Sequence, residues 1–107
     1  MPKLKYDLRL LQVAEVDLKE ITDYVAAYSL RAATVLLDKF EKSFLLLTKQ
    51  PYLGRTPNDI DLIRQGYFCL TLENYLIFYV VQKQVVLIHR ILHGARAYES
   101  ILLGDRG

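Results

Sequence analysis

A chain of 107 residues, 52% hydrophobic and 24% charged, fits one compact domain over residues 1–107, with enough apolar surface for a core and too little length for a second one. Cys69 is the single cysteine, which excludes an intrachain disulfide and a thiolate cluster built from one chain, and suits a reducing cytoplasm. A net charge of +2 is too small for a protein that coats nucleic acid through many phosphate contacts. That charge is uneven: −1 over residues 1 to 28, +1 over 29 to 61 and +2 over 62 to 107, which suits an acidic partner or a small phosphate-binding notch. No apolar run approaches the ~20 residues of a membrane span, and Met1-Pro2-Lys3-Leu4-Lys5 opens without the apolar stretch of a signal peptide. The expectation is a cytoplasmic protein without a membrane partner.

Lys3 to Leu10 alternates polar and apolar residues, predicting a half-buried strand with Leu4, Tyr6, Leu8 and Leu10 inward. Ala14, Leu18, Ile21, Val25 and Tyr28 then recur at helical spacing, with Glu15, Asp17, Lys19, Glu20 and Asp23 assigned to the solvent side. Ser29 is a plausible N-cap for a second helix. Its stripe is Ala33, Leu36, Leu37, Phe40, Phe44 and Leu47, and Pro51 ends it for want of an N–H.

Residues 51 to 61 are turn-rich, and Ile63 to Leu72 reads as extended with a bulge or close backbone approach at Gly66. Asn74 to Val81 and Val85 to Arg96 are two β-branched and aromatic runs around a short polar break, an antiparallel hairpin apolar on both faces and so central in a sheet. A short helical turn is expected after Ala97. The order strand, helix, helix, strand, strand, strand predicts an α+β fold: two helices on one face of a mainly antiparallel sheet.

Polar groups in the last strand draw attention because burial without a partner is costly. Arg90 is expected to bond carbonyls or a carboxylate such as Glu73, and His93 to satisfy the hairpin's end rather than to hold a metal, since His89 and His93 have no second ligand pair. No metal or cofactor is expected. Arg96 and Tyr98 fall past the strand in an exposed tail, with Arg64 on the sheet's open face beside them. Tyr75, Tyr79 and Cys69 read as core residues.

Four segments in order, Ala14 to Tyr24, Pro51 to Arg55, Asn74 to Tyr79 and Arg90 to Arg96, resemble the RelE/ParE superfamily of bacterial type II toxins, over residues 4 to about 103. The resemblance implies a toxin that forms a hetero-oligomer with a cognate antitoxin, whose flexible C-terminal segment wraps it. One branch implies a ribosome-dependent mRNA endonuclease, with the ribosome and its mRNA as partners; here Arg64, Arg90, Arg96 and Tyr98 would be its catalytic set. The other implies a non-enzymatic inhibitor of DNA gyrase. The long helical hairpin of residues 14 to 50, and Gly94-Ala95 where the nucleases carry basic residues, favour the ParE branch. Ala97 stands where ParE-like tails commonly have Asp. Arg64, His93, Arg96 and Tyr98 are then the candidates for binding target or antitoxin, and a decayed toxin that only binds antitoxin is a third reading.

Overall fold

The computed structural model describes residues 5–94 and 98–104, so Leu4, Arg96 and Ala97 lie outside the described residues. Strand β1 (Asp7–Leu10) leads into α1 (Gln12–Ala26) and α2 (Leu30–Lys49); a short α3 (Ile60–Arg64) precedes β2 (Tyr67–Leu72), β3 (Tyr75–Gln82) and β4 (Val85–His93), and α4 (Tyr98–Leu103) follows. The architecture is α+β as expected, with sheet order β1-β4-β3-β2. The two apolar runs β3 and β4 take the two central positions. Both pairings among β2, β3 and β4 are antiparallel, and β1 joins β4 in parallel.

The helical hairpin forms where the sequence places its caps. Ser29 Oγ accepts the Ala32 N–H at 3.1 Å, and the Gln50 N–H closes the far end on the Leu46 carbonyl at 2.9 Å. The adjoining Thr48 carbonyl accepts the Tyr6 N–H at 2.8 Å, tying the end of α2 to the entrance of β1. Ala14 from α1 and Leu36, Phe40, Phe44 and Leu47 from α2 bury against Ile77, Tyr79, Val86, Ile88 and Ile91. Tyr28, expected in the α1 stripe, is exposed beyond the last turn of α1, and Leu37, expected in the α2 stripe, is only partly covered.

The other sheet face has its own cluster: Leu62, Tyr67, Cys69, Leu76, Phe78, Val80 and Leu92, covered by α3 and by Tyr98, Ile101, Leu102 and Leu103 of α4. This second layer is why both faces of β3 are apolar. α3 falls partly on residues read from sequence as extended. Asp59 starts it, its carboxylate accepting the Asp61 and Leu62 N–H groups. Gly66 is accordingly no bulge: it has φ 84° just past α3, the left-handed conformation that ends a helix. The Asn74 carbonyl accepts the Gly94 N–H at 2.8 Å at the opposite end of the sheet. Among the described residues no helix is long and apolar enough to cross a membrane.

Candidate functional site

A bulge in β4 decides where its polar residues go. Phe78 faces Arg90 while Tyr79 faces Ile88, leaving His89 as an extra residue. The side-chain phase changes there: Val86 and Ile88 before the bulge and Ile91 after it all belong to the cluster under the helical hairpin. β1 pairs with β4 only over Val85–Ile88, so α1, not a strand, runs beside the remainder of β4. Asp17 of α1 fills the gap. Its carboxylate accepts the Ile91 N–H at 3.0 Å, Arg90 Nε–H at 2.7 Å and an Arg90 Nη2–H at 2.8 Å.

Asp17, assigned from sequence to the polar side of α1, is therefore buried. The carboxylate partner of Arg90 is Asp17 rather than Glu73, which pairs with Lys39 of α2. The Asp17 hydrogen bonds hold the Arg90 guanidinium above its already high ordinary pKa, against the opposing effect of burial. A helical spacing of three and four from Ala14 to Asp17 to Ile21 carried this signal, an acid within an apolar stripe.

The other candidates have separate partners. Arg64 is exposed on α3, with its nearest carboxylate contact at 3.9 Å to Asp61, rather than on a strand at the open face. Tyr98 is not in a free tail. It begins α4 with its ring tilted against Phe78, centroids 4.9 Å apart. Its hydroxyl pKa is raised, first by burial and then by Glu99. His93 is exposed at the end of β4 with its ring edge-on to Tyr75 at 5.9 Å. Tyr75 and Tyr79 pack in the hairpin-side cluster, Tyr79 fully buried with its hydroxyl accepting the Gly54 N–H at 2.9 Å. Cys69 is buried, and burial pushes its thiol pKa up against the effect of Arg55, so it is a small core residue with little thiolate character.

Two of the surface recesses involve these candidate residues. A cleft of about 220 Å³ opens between α1 and the far end of the sheet, lined by Asp17, Glu20, Ile21, Tyr24, Tyr75, Ile91 and His93. Beside its mouth Tyr24 and Tyr28 stack edge to face at 5.4 Å, and with Leu30 and Val35 they stand largely in solvent. A smaller notch lies between the 55–58 segment, the sheet and Tyr98. Arg64, Arg90 and Tyr98 line neither recess together.

Against known families, a model of the ParE toxin of type II toxin–antitoxin systems, parDE, matches residues 8–98. The chain belongs to the ParE toxin family. A chromosomal ParDE toxin–antitoxin system from P. aeruginosa is similar in structure, with TM-score 0.69 and 22% identity, over 85% of this chain and 98% of that one. The RelBE2 toxin–antitoxin complex from Mycobacterium tuberculosis is also similar, with TM-score 0.61 and 22% identity, over 89% of this chain and 98% of that one. At these identities the two structures establish a shared fold. No curated protein matches the sequence significantly. For this ParE-family chain, the pairing of buried Asp17 with half-buried Arg90 locks α1 to β4 beside the cleft, and so sets the geometry of that surface.

Proposed function

We propose that this ParE-family toxin is neutralised by a cognate antitoxin encoded beside it and acts on DNA gyrase by binding rather than by cutting RNA. The observation that carries the choice of mechanism is the commitment of Arg90 to Asp17. Phosphoryl-transfer catalysis needs cations free to meet the charge that develops on phosphate; Arg90 is bound bidentately to an acid. Arg64 is exposed on α3 and Tyr98 packs on Phe78, and Arg64, Arg90 and Tyr98 line no common recess, which supports binding over cleavage.

The antitoxin segment seats in the cleft beside α1. Its apolar lining, the exposed aromatic pair at its mouth and the acidic Glu20 suit an amphipathic helix that presents apolar anchors and a basic residue beside them. Membership of the family and the fold shared with two toxin–antitoxin systems support a partner of this kind. His93 lines this seat; Arg64 and Tyr98 belong to the α3–α4 side, which is left for the target.

Purified toxin is to be added to a gyrase supercoiling reaction and, separately, to a translating extract. Loss of supercoiling with intact ribosome-bound mRNA is the expected result. Codon-specific cuts in the message with normal supercoiling would replace this reading by the nuclease one, and inactivity in both assays alongside antitoxin binding would mark a decayed toxin.

A further inference from the structure

The notch on the other sheet face carries chemistry that the antitoxin cleft lacks. It encloses about 70 Å³ and is lined by Arg55, Thr56, Pro57, Asn58, Cys69, Leu76, Phe78 and Tyr98. Its polar side chains are one guanidinium, one carboxamide and two hydroxyls, and no carboxylate lines it among the described residues. This set is rich in donors. The volume is far below the ~300 Å³ at which pockets for small organic ligands usually begin, so the fit is to a small ion.

The notch is also built rigidly. Arg55 is pinned to β2 by two backbone hydrogen bonds, its N–H to the Cys69 carbonyl at 3.0 Å and the Cys69 N–H to its carbonyl at 2.8 Å. Gly54, just before it, is fixed by the Tyr79 hydroxyl. Across the notch, the Phe78 ring orients Tyr98. Arg55 lines the notch together with Cys69 and Tyr98, and its charge lowers the pKa of each against the burial that raises it. Tyr98 stays protonated, and its phenol also hydrogen-bonds the Glu99 carboxylate, which does not line the notch, so an anion would draw the Tyr98 proton away from Glu99.

We propose that the notch of Arg55, Thr56, Asn58 and Tyr98 is a binding site for a tetrahedral oxyanion of phosphate size, with the Arg55 fork as its principal contact. The site shares Tyr98 with the side left for the target, but its binding of an anion is tested without reference to which target the toxin acts on. A guanidinium bonds such an oxyanion through two parallel N–H groups, and the apolar floor of Leu76 and Phe78 strengthens that contact by keeping water from one side. The shared chemistry is phosphate, either the free anion or the terminal phosphate of a nucleic acid.

The test is titration of the isotope-labelled full chain with inorganic phosphate, followed by NMR at constant ionic strength. Saturable shifts confined to Gly54 to Asn58, Cys69 and Tyr98 are expected. Arg55→Gln should weaken binding at least about tenfold because a charge-assisted bidentate contact is lost; Arg55→Lys should retain part of it, and Tyr98→Phe should weaken it less while keeping the ring on Phe78. A 5′-phosphorylated dinucleotide binding more tightly than phosphate, with its unphosphorylated counterpart inert, assigns the site to a nucleic-acid end; equal binding of phosphate and the phosphorylated dinucleotide assigns it to the free anion. Shifts that do not saturate, that chloride reproduces, or that survive unchanged in a folded Arg55→Gln protein would overturn the site.

Discussion

Asp17 and Arg90 are 73 residues apart in the chain and meet through two hydrogen bonds, Nε–H to Oδ2 at 2.7 Å and Nη2–H to Oδ1 at 2.8 Å, while the same carboxylate accepts the Ile91 N–H. One acid thus supplies the hydrogen bond that β1 would have made had it run further, and neutralises the strand's half-buried cation. Its removal and its partner's removal are not equivalent. Arg90→Ala leaves Asp17 buried with one N–H, at a cost of about 3–5 kcal/mol for a fully buried pair, and the low end of that range is expected because the Arg90 side chain keeps 22% of its surface in solvent. Asp17→Asn still accepts from Ile91 and should cost less. Tyr98→Phe, which keeps the ring contact with Phe78, should leave thermal stability nearly unchanged. Denaturant midpoints for the three variants check the order, and equal losses in all three would refute it.

Gly54→Ala tests the close approach of the 51–55 loop to the sheet. A Cβ there would lie 2.7 Å from the Tyr79 hydroxyl and 2.8 Å from the Cys69 carbonyl oxygen. The neighbours are the tip of a buried ring and backbone, and neither yields without shifting β2 or β3. A loss of roughly 1–3 kcal/mol is expected, as for other overpacked sites. Adding Tyr79→Phe should relieve only part of it, since the carbonyl contact remains; full rescue in a double-mutant cycle would place the clash entirely on the hydroxyl.

These two relationships mark what could be read from sequence. The helical hairpin, the Ser29 cap and the order of the strands follow from local periodicity and side-chain chemistry and hold, though β1 spans only Asp7–Leu10 among the described residues and β2 starts at Tyr67 rather than Ile63. Asp17 was misplaced because a charged residue was assigned to the outer face by type, though its spacing from Ala14 and Ile21 put it inside. The partner of Arg90 and the phase of β4 were hidden by the His89 bulge, since alternation by twos assumes an unbroken ladder. α3 was missed because five residues show too little of a helical period, and its signal was the Asp59 cap. The oxyanion notch needs Arg55 and Tyr98, 43 positions apart, to face each other, and nothing local in the sequence brings them together.

The turn Lys83–Gln84 between β3 and β4 holds Lys83 at φ 56°. A side chain with a Cβ pays about 1 kcal/mol in this region, less for asparagine, whose short amide bonds locally. Lys83→Asn should therefore stabilise the protein by roughly 0.5 kcal/mol. The equivalent change at Glu73, φ 52°, should gain nothing because it also removes the ion pair with Lys39. Unfolding curves of the two variants side by side separate backbone strain from the ion pair, and a gain at Glu73 equal to that at Lys83 would contradict this account.

Acid should weaken the fold through His89. Tyr67 Oη lies 2.9 Å from His89 Nδ1, and burial lowers the His89 pKa from its ordinary value of 6.5, so the native state favours the neutral ring with the phenol donating to Nδ1. The unfolded chain binds the proton more readily than the native one, and stability therefore rises with pH wherever the two differ. The contribution is fully present above the unfolded value of 6.5 and is lost as pH falls through that value toward the lower native one. In His89→Gln, where no proton can be taken up at this position, the dependence of the thermal midpoint on pH between about 7.5 and 5 should flatten, with Tyr67 still able to donate to the amide. An identical slope in both proteins would show that other groups govern the acid response.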